Sequence, residues 1–506
     1  MADALQGIGA VVSTQLLARA VTFILNILIA RLAAPSEYGV SYISLQLFSN
    51  LSLFITKEGF RKVALRDPKD EKHAPSQSSL NLGWGGICSS ALLSLPLAFY
   101  WMLRGPAAAP QSYYWAVALM AVASVVESLG EPFLICTLAA MDFRARAFGE
   151  GVAILARTIV MFLLAASFGD LPLAFAISQL LYSIVWVMWF MRHPNVLAWM
   201  PSRLPSGQWL HPDHYELLVE FGGKVLMKLA LTEGEKLLLL ILFTQEDWGV
   251  FGLVSNLGSI VLRLLFAPTE EIAYSSFAGG GAQWHLLRAL LMLQGGVGWL
   301  GLCFGPGFSK LVVRILYGVD WANSAAPQVL TAYCVLLFFM ALNGILEAYV
   351  DSQSSPRWVR LCNLWQILIS LVLVIVAWGG SGYGPVALVW ANCAAMLLRV
   401  LLCVYFVRQR VDLSSADLRA ASALKLAGLL LVSGCGCSMI VPPVSDTVPW
   451  ARAAIAIALA GSSILASGFL CRQELRMTFA EVRSKKTVDM EQVVQKEDEV
   501  PSKKTS

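Results

Sequence analysis

Charge is scarce in this chain. Asp, Glu, Lys and Arg make up 14% of its 506 residues, against about 25% in an ordinary soluble domain. Hydrophobic residues reach 57% and mean hydropathy is +0.66, so a soluble enzyme is excluded and a polytopic membrane protein remains. Histidine is scarcer still, five in all and none at zincin spacing, so neither a metal site nor a cofactor is expected. There is no CxxC. The ten cysteines sit singly in or beside apolar segments, Cys435 and Cys437 being the one close pair, which excludes a disulfide framework. Gly279-Gly280-Gly281 follows no strand and lacks the P-loop lysine, so ATP hydrolysis is not expected. The basic runs have acids beside them, which argues against nucleic acid as a partner. The N-terminal stretch lacks the basic leader of a cleavable signal, and Arg19 interrupts it.

What is present in abundance is apolar sequence in lengths of about 20 residues, enough to cross a bilayer as helix. Fourteen spans are expected, near 8–33, 38–58, 78–103, 112–139, 145–168, 171–192, 216–244, 247–276, 284–305, 326–351, 358–379, 382–408, 421–441 and 449–471. The longest connection, 192–215, holds four prolines and reads as a linker between halves. Residues 472–506 are polar with no apolar period and read as a disordered tail. The expected fold is therefore all-α and polytopic. An N-lobe of spans one to six occupies 1–213 and a C-lobe of spans seven to twelve occupies 214–410. Two extra helices fill 411–471.

Three landmarks relate the halves. Glu37-Tyr38-Gly39-Val40 is matched by Asp247-Trp248-Gly249-Val250 at an offset of 210, Glu131 by Glu347 at 216, and Pro172 by Pro385 at 213. Two six-helix repeats around a central cavity are a transporter architecture. Lys and Arg split 25 to 5 between the two sides of such a topology, which places both termini in the cytosol.

A charge at the bilayer centre costs about 2.5–3.5 kcal/mol on insertion scales, so each one needs a reason. Gln15, Arg19, Thr22 and Asn26 share one face of span one. Tyr42, Gln46, Ser49, Asn50, Lys57 and Arg61 share one of span two. Span four has Glu127 and Glu131. Span seven aligns Lys224, Lys228 and Glu235, with Glu233 expected to point away. Span eight aligns Asn256, Ser259, Arg263 and Glu270, and span ten carries Asn343, Glu347 and Asp351. Interhelical hydrogen bonding or contact with headgroups accounts for such residues in general. The alternative is a hydrophilic cavity lined by spans one, two, seven and eight. There Arg19, Lys57, Arg61, Lys228 and Arg263 would bind a diphosphate, with Glu131, Glu235, Glu270 and Glu347 as their acidic partners. Glu58 is placed to pair with Lys62, four residues on.

Several of these residues sit in motifs. Leu231-Thr232-Glu233-Gly234-Glu235-Lys236, Asn256-Leu257-Gly258-Ser259 with Arg263, and Pro268-Thr269-Glu270-Glu271 together resemble the central signature of the Rft family. Further matches are Arg19 with Thr22, Phe23 and Asn26; Glu58 with Phe60 and Arg61; Glu127 with Leu129-Gly130-Glu131-Pro132-Phe133; Asn343-Gly344 with Glu347; and Ala391-Asn392-Cys393 with Arg399. The resemblance implies an endoplasmic-reticulum membrane protein tied to translocation of the dolichyl-diphosphate-linked oligosaccharide of N-glycosylation. It also implies a place in the superfamily of bacterial lipid-II flippases and drug exporters, with alternating access between lobes. Lys57 departs from the arginine of that pattern and loses its bidentate fork. Lys503 and Lys504 resemble a dilysine retrieval signal, which acts on a cytosolic tail.

The implied partners are dolichyl-diphosphate oligosaccharide, bilayer lipids and proteins of the glycosylation pathway. A flippase is the first expectation. A non-transporting accessory protein of the same pathway and a cation-coupled exporter are the alternatives. The topology is directly testable. A glycosylation sequon engineered at residue 70 is expected to stay unmodified in microsomes, and a C-terminal tag to be digested by protease added outside sealed vesicles. Protection of the tag would reverse the orientation.

Overall fold

The protein is described by a computed structural model over residues 21–65, 76–105, 111–139, 142–192, 201–278, 283–409 and 458. Arg19, the tail with Lys503 and Lys504, and all but residue 458 of the spans expected at 421–441 and 449–471 lie outside them. Among the described residues every element is helical. Helix α1 is Val21–Leu32. Helix α2 runs over residues 35–64 and contains two wider π turns, Val40–Leu45 and Thr56–Phe60. Then come α3 (Gln77–Leu103), α4 (Gln111–Ser128), α5 (Glu131–Ala139), α6 (Phe143–Phe168), α7 (Leu171–Met191) and α8 (Pro212–Leu242). Helix α9 (Gln245–Ala278) carries a third π turn at Leu262–Phe266. It is followed by α10 (Gln283–Tyr317), α11 (Ala326–Gln353), α12 (Pro356–Gly379) and α13 (Pro385–Arg408).

Eight of these stretches are long and apolar enough to cross a membrane, taking α4 and α5 as one. Helix α3 alone covers roughly 40 Å at 1.5 Å per residue, against a hydrocarbon core of about 30 Å. The helices at 35–64 and 212–242 are not among the eight. The first is diluted by uncharged polar residues, Ser41, Ser44, Gln46, Ser49, Asn50 and Ser52, and the second carries the charges of Lys228, Glu233, Glu235 and Lys236. Helix α10 runs twelve residues past the span end expected at 305, with Pro306 inside it.

The punctuation of the helices is legible in their ends. Gly169 takes the left-handed conformation (φ 67°) that closes α6, and Asp170 then caps α7 by accepting from the Leu173 amide at 3.1 Å. Pro172 sits in the first turn, where its missing N–H costs nothing. Ser355 and Pro356 start α12 in the same way.

The chain divides into two compact units, residues 1–252 and 253–506. In the first, α3 packs on α2, α4 and α5, α7 packs on α4 and α6, and α8 lies against the second half of α2. Phe133, Leu134, Leu138, Trp186 and Phe190 form one of its buried clusters. In the second, α11 is central, held by α10, α13 and the last part of α9, with α12 on α13. Leu92, Leu95, Phe99 and Leu103 are 65–73% exposed along one face of α3, as a surface facing hydrocarbon must be.

Two of the repeat landmarks meet inside the first unit. Gly39 and Gly249 lie backbone to backbone. A Cβ on Gly249 would overlap the Pro35 carbonyl, and one on Gly39 would come within 2.6 Å of the Gly249 nitrogen. Such small-residue crossings let helix axes approach closely. Gly249→Ala is therefore expected to lower the thermal unfolding midpoint of the detergent-purified protein, overpacking costing about 1–3 kcal/mol. Gly151→Ala serves as the control, because nothing lies within 4 Å of its added methyl.

Candidate functional site

The charged residues of span two converge on span four. Lys57 and Arg61 lie four residues apart on α2 and meet Glu127 and Glu131, which are also four apart. Lys57 Nζ donates to Glu127 Oε1 at 2.7 Å, and Arg61 Nε donates to Glu131 Oε2 at 2.8 Å. A second guanidinium contact, from Arg61 Nη2 to Glu131 Oε1, makes that pair bidentate. The two acids bracket the break between α4 and α5: Glu127 lies in the last turn of α4, Leu129-Gly130 is non-helical, and Glu131-Pro132 opens α5. Gln179 of α7 donates to the other Glu127 oxygen at 3.2 Å. Both carboxylates are buried, and their partners are less so. The side chains are 38% and 4% exposed for Lys57 and Glu127, and 15% and 1% for Arg61 and Glu131.

The polar faces of spans one, two and seven also meet in this unit. Tyr42 donates to Asn26 of α1 at 3.1 Å. Gln46 donates to Asn50, which donates to Glu233 of α8 at 2.9 Å, and Glu233 also holds Lys236 at 2.8 Å. Glu233 is 8% exposed, so the expectation that it points away is overturned. Helix α8 presents more than one side to its neighbours, and a single stripe does not describe it. Glu235 is half-buried on the same helix. Lys228 donates to Glu58 at 2.6 Å, and Glu58 also takes Lys62 at 2.6 Å. The i,i+4 partner expected for Glu58 is therefore present, and so is a cation from α8, 170 residues away.

One member of the network was missed from sequence. Arg157 of α6 donates to Gln46 at 3.2 Å, and its guanidinium stacks over the Phe175 ring at 4.6 Å. The signal was available, since Arg157 is a cation in the middle of an apolar run.

In the second unit the acids find amides. Gln294 donates to Glu270 at 3.1 Å and to the Ala341 carbonyl, and Asn343 donates to Glu347 at 2.7 Å. The Glu270 side chain lies directly against Gly344, where any Cβ would collide with it. Arg263, in the π turn of α9, is exposed and has no hydrogen bond or ion pair among the described residues. Of the five cations expected to bind substrate, Lys57, Arg61 and Lys228 are thus engaged by acids, Arg263 has no partner among the described residues, and Arg19 is not described. No cluster of metal-ligating side chains occurs among the described residues.

A family profile described as "Rft protein" matches residues 3–481. Proteins named Man(5)GlcNAc(2)-PP-dolichol translocation protein RFT1 are similar over most of the chain. That of Mus musculus is 27% identical over 82% of this chain and 84% of its own length. That of Xenopus tropicalis is 28% identical over 76% and 78%, and that of Saccharomyces cerevisiae 26% over 78% and 81%. Among solved structures, the lipid II flippase MurJ in an inward closed conformation superposes with a TM-score of 0.64 at 12% identity, covering 92% of this chain and 99% of that one. At that identity the likeness concerns the fold.

The burial of the acids sets an order of effects. Removing one partner of a buried ion pair costs about 3–5 kcal/mol, because the other charge is stranded. Arg61→Gln is expected to lower the unfolding midpoint more than Lys57→Gln, since Lys57 is partly solvated and its loss is screened. Adding Glu131→Gln to Arg61→Gln is expected to restore part of the loss, measured as a double-mutant cycle in detergent.

Proposed function

Starting from the fact that the chain belongs to the Rft family, we propose that it moves a dolichyl-diphosphate-linked oligosaccharide across the endoplasmic-reticulum membrane, from the cytosolic to the lumenal leaflet, in N-glycosylation. The observation that carries this is the extent of the family match, residues 3–481, together with one shared relative's name across animals and fungi. The flippase-like fold supports it. In this reading the chain has fourteen spans, an N-lobe over 1–213 and a C-lobe over 214–410, with both termini cytosolic. The terminal Lys503 and Lys504 contribute to retention. The 25-to-5 division of Lys and Arg supports that orientation.

The substrate supplies its own polyprenyl anchor, so the protein's task is electrostatic and steric. It must give a diphosphate and glycan a polar route while the lipid stays in hydrocarbon, and no covalent bond changes. An unpaired guanidinium is the group best prepared for the first contact, because binding a phosphate displaces no internal acid. Arg263 is such a group. Arg19 is assigned the same role from its place on the polar face of span one. Lys57, Arg61 and Lys228 are held by Glu127, Glu131 and Glu58. They become available only if those pairs open, so they serve later steps or the fold. Glu235, Glu270 and Glu347 are assigned as acidic partners along the same route.

Purified protein in vesicles provides the test. Arg263→Ala is expected to slow transfer of a dolichyl-diphosphate oligosaccharide by about tenfold or more, the loss of one charge-assisted contact, while Arg263→Lys retains most of it. Accumulation of the protein is the control, and Arg263 is exposed, so both variants are expected to fold. Equal transfer by vesicles with and without the wild-type protein would leave a supporting role in the pathway and remove the transport reading.

A further inference from the structure

Far from the ion pairs, roughly 30 Å along α3 at 1.5 Å per residue, the first unit holds a cavity of about 250 Å³. Its walls include Trp101, Tyr113 and Trp248, and the donor of each is engaged by an acceptor of the protein. Trp101 Nε1 donates to Ser44 Oγ at 2.9 Å, and Tyr113 donates to the Trp101 carbonyl at 3.3 Å. Trp248 Nε1 donates to the carbonyls of Leu239 and Phe243 at 2.9 and 3.0 Å. The walls are thereby fixed and offer a ligand only their apolar faces.

Three other lining groups keep unused donors. Arg104, Gln245 and Tyr100 also line the cavity, and none of their side chains makes a hydrogen bond or ion pair among the described residues. Among the described residues no acid lines it, and the formal charge they bring is the positive charge of Arg104. A site with one free guanidinium, two neutral donors and no acid is complementary to a single anionic group. The cavity also adjoins the exposed apolar face of α3. Leu92, Leu95, Phe99 and Leu103 follow one another at helical spacing up to Arg104, and the rim residue Ile241 is 72% exposed.

The geometry points to a binding site for a phosphate-bearing glycerolipid of the surrounding bilayer. Its phosphate sits on Arg104 with Gln245 and Tyr100, its glycerol lies between Trp101 and Trp248, and one acyl chain runs along the α3 stripe. The volume suits one small headgroup and not a glycan of several sugars. The ligand is therefore a lipid of the membrane, distinct from the transported one. Charged donors beside aromatic rings are the groups that work at the depth of lipid headgroups. This assignment does not rest on the transport reading.

The full chain in phosphatidylcholine vesicles, doped with phosphatidylglycerol carrying a photoreactive diazirine in one acyl chain, provides the test. Irradiation is expected to label peptides covering residues 92–104 and 237–248. Arg104→Ala is expected to cut that labelling about tenfold, and Gln245→Leu to cut it less, while Arg104→Lys retains most of it. Diacylglycerol with the same diazirine, lacking the phosphate, is expected to label wild type and Arg104→Ala equally and weakly. Arg104 is exposed, so these variants keep the fold, and an unchanged unfolding midpoint verifies it. Equal phosphatidylglycerol labelling of wild type and Arg104→Ala would overturn the site. Loss of the label on adding equimolar dolichyl diphosphate would give the cavity to the transported lipid and equally overturn the assignment.

Discussion

A buried carboxylate among membrane helices must either take up a proton or find a cation, and Glu127 and Glu131 both find one. The packing of the first unit follows from that requirement. The helix carrying the cations must lie beside the helix break that carries the acids, in a register that matches two pairs at once. A shift of α2 by a single residue along α4 would strand both carboxylates. Helix α3 keeps α2 in place on its other flank: the Thr56 hydroxyl donates to the Gly86 carbonyl at 2.8 Å, and Ser79 donates to the Ala64 carbonyl at 3.0 Å. The break at Leu129-Gly130 is stabilised from both sides, because one pair ends α4 and the other begins α5.

The second unit uses the same plan with the charge taken out. Its π turn at Leu262–Phe266 falls 206 residues after the one at Thr56–Phe60, and Arg263 holds the second place in it as Lys57 does in the first. At the offset of 216, Glu127 corresponds to Asn343 and Glu131 to Glu347. An amide has replaced one acid, and it now donates to the remaining acid within its own helix. Arg263 is left without the partner its counterpart has. π turns are rare and cluster where function bends a helix, and two of the three described here, Thr56–Phe60 and Leu262–Phe266, carry a cation, while Val40–Leu45 does not.

Much of this was legible in the sequence because hydrophobic length and helical phase are local properties. Helices stand at each of the first twelve expected places that the structure describes, and the polar faces of spans one, two and seven do touch. Pairings were less legible, because they depend on which helices become neighbours. Glu58 was read with Lys62, the partner its own helix supplies, and the second cation arrived from α8. A single stripe on α8 leaves Glu233 out, because that helix is used on several sides. Arg157 is a lone cation in an apolar run, and what gives it a role lies outside its own helix. Its partners, Gln46 and Phe175, lie on other helices. The prominence of Glu127, by contrast, follows from its spacing to Glu131 once the matching spacing of Lys57 and Arg61 is set beside it.

The Gly39–Gly249 crossing carries a consequence for inheritance. No missense codon can be silent there, since every replacement of glycine introduces a Cβ where the opposing backbone already stands. The ion pairs are more forgiving, because an arginine can stand for a lysine and an amide for an acid, as Asn343 illustrates in the second unit. Over generations the charges of this protein are free to drift in matched pairs, while these two codons are not. Variation in a population should thin at positions 39 and 249 for reasons of geometry that no change in cargo would relax.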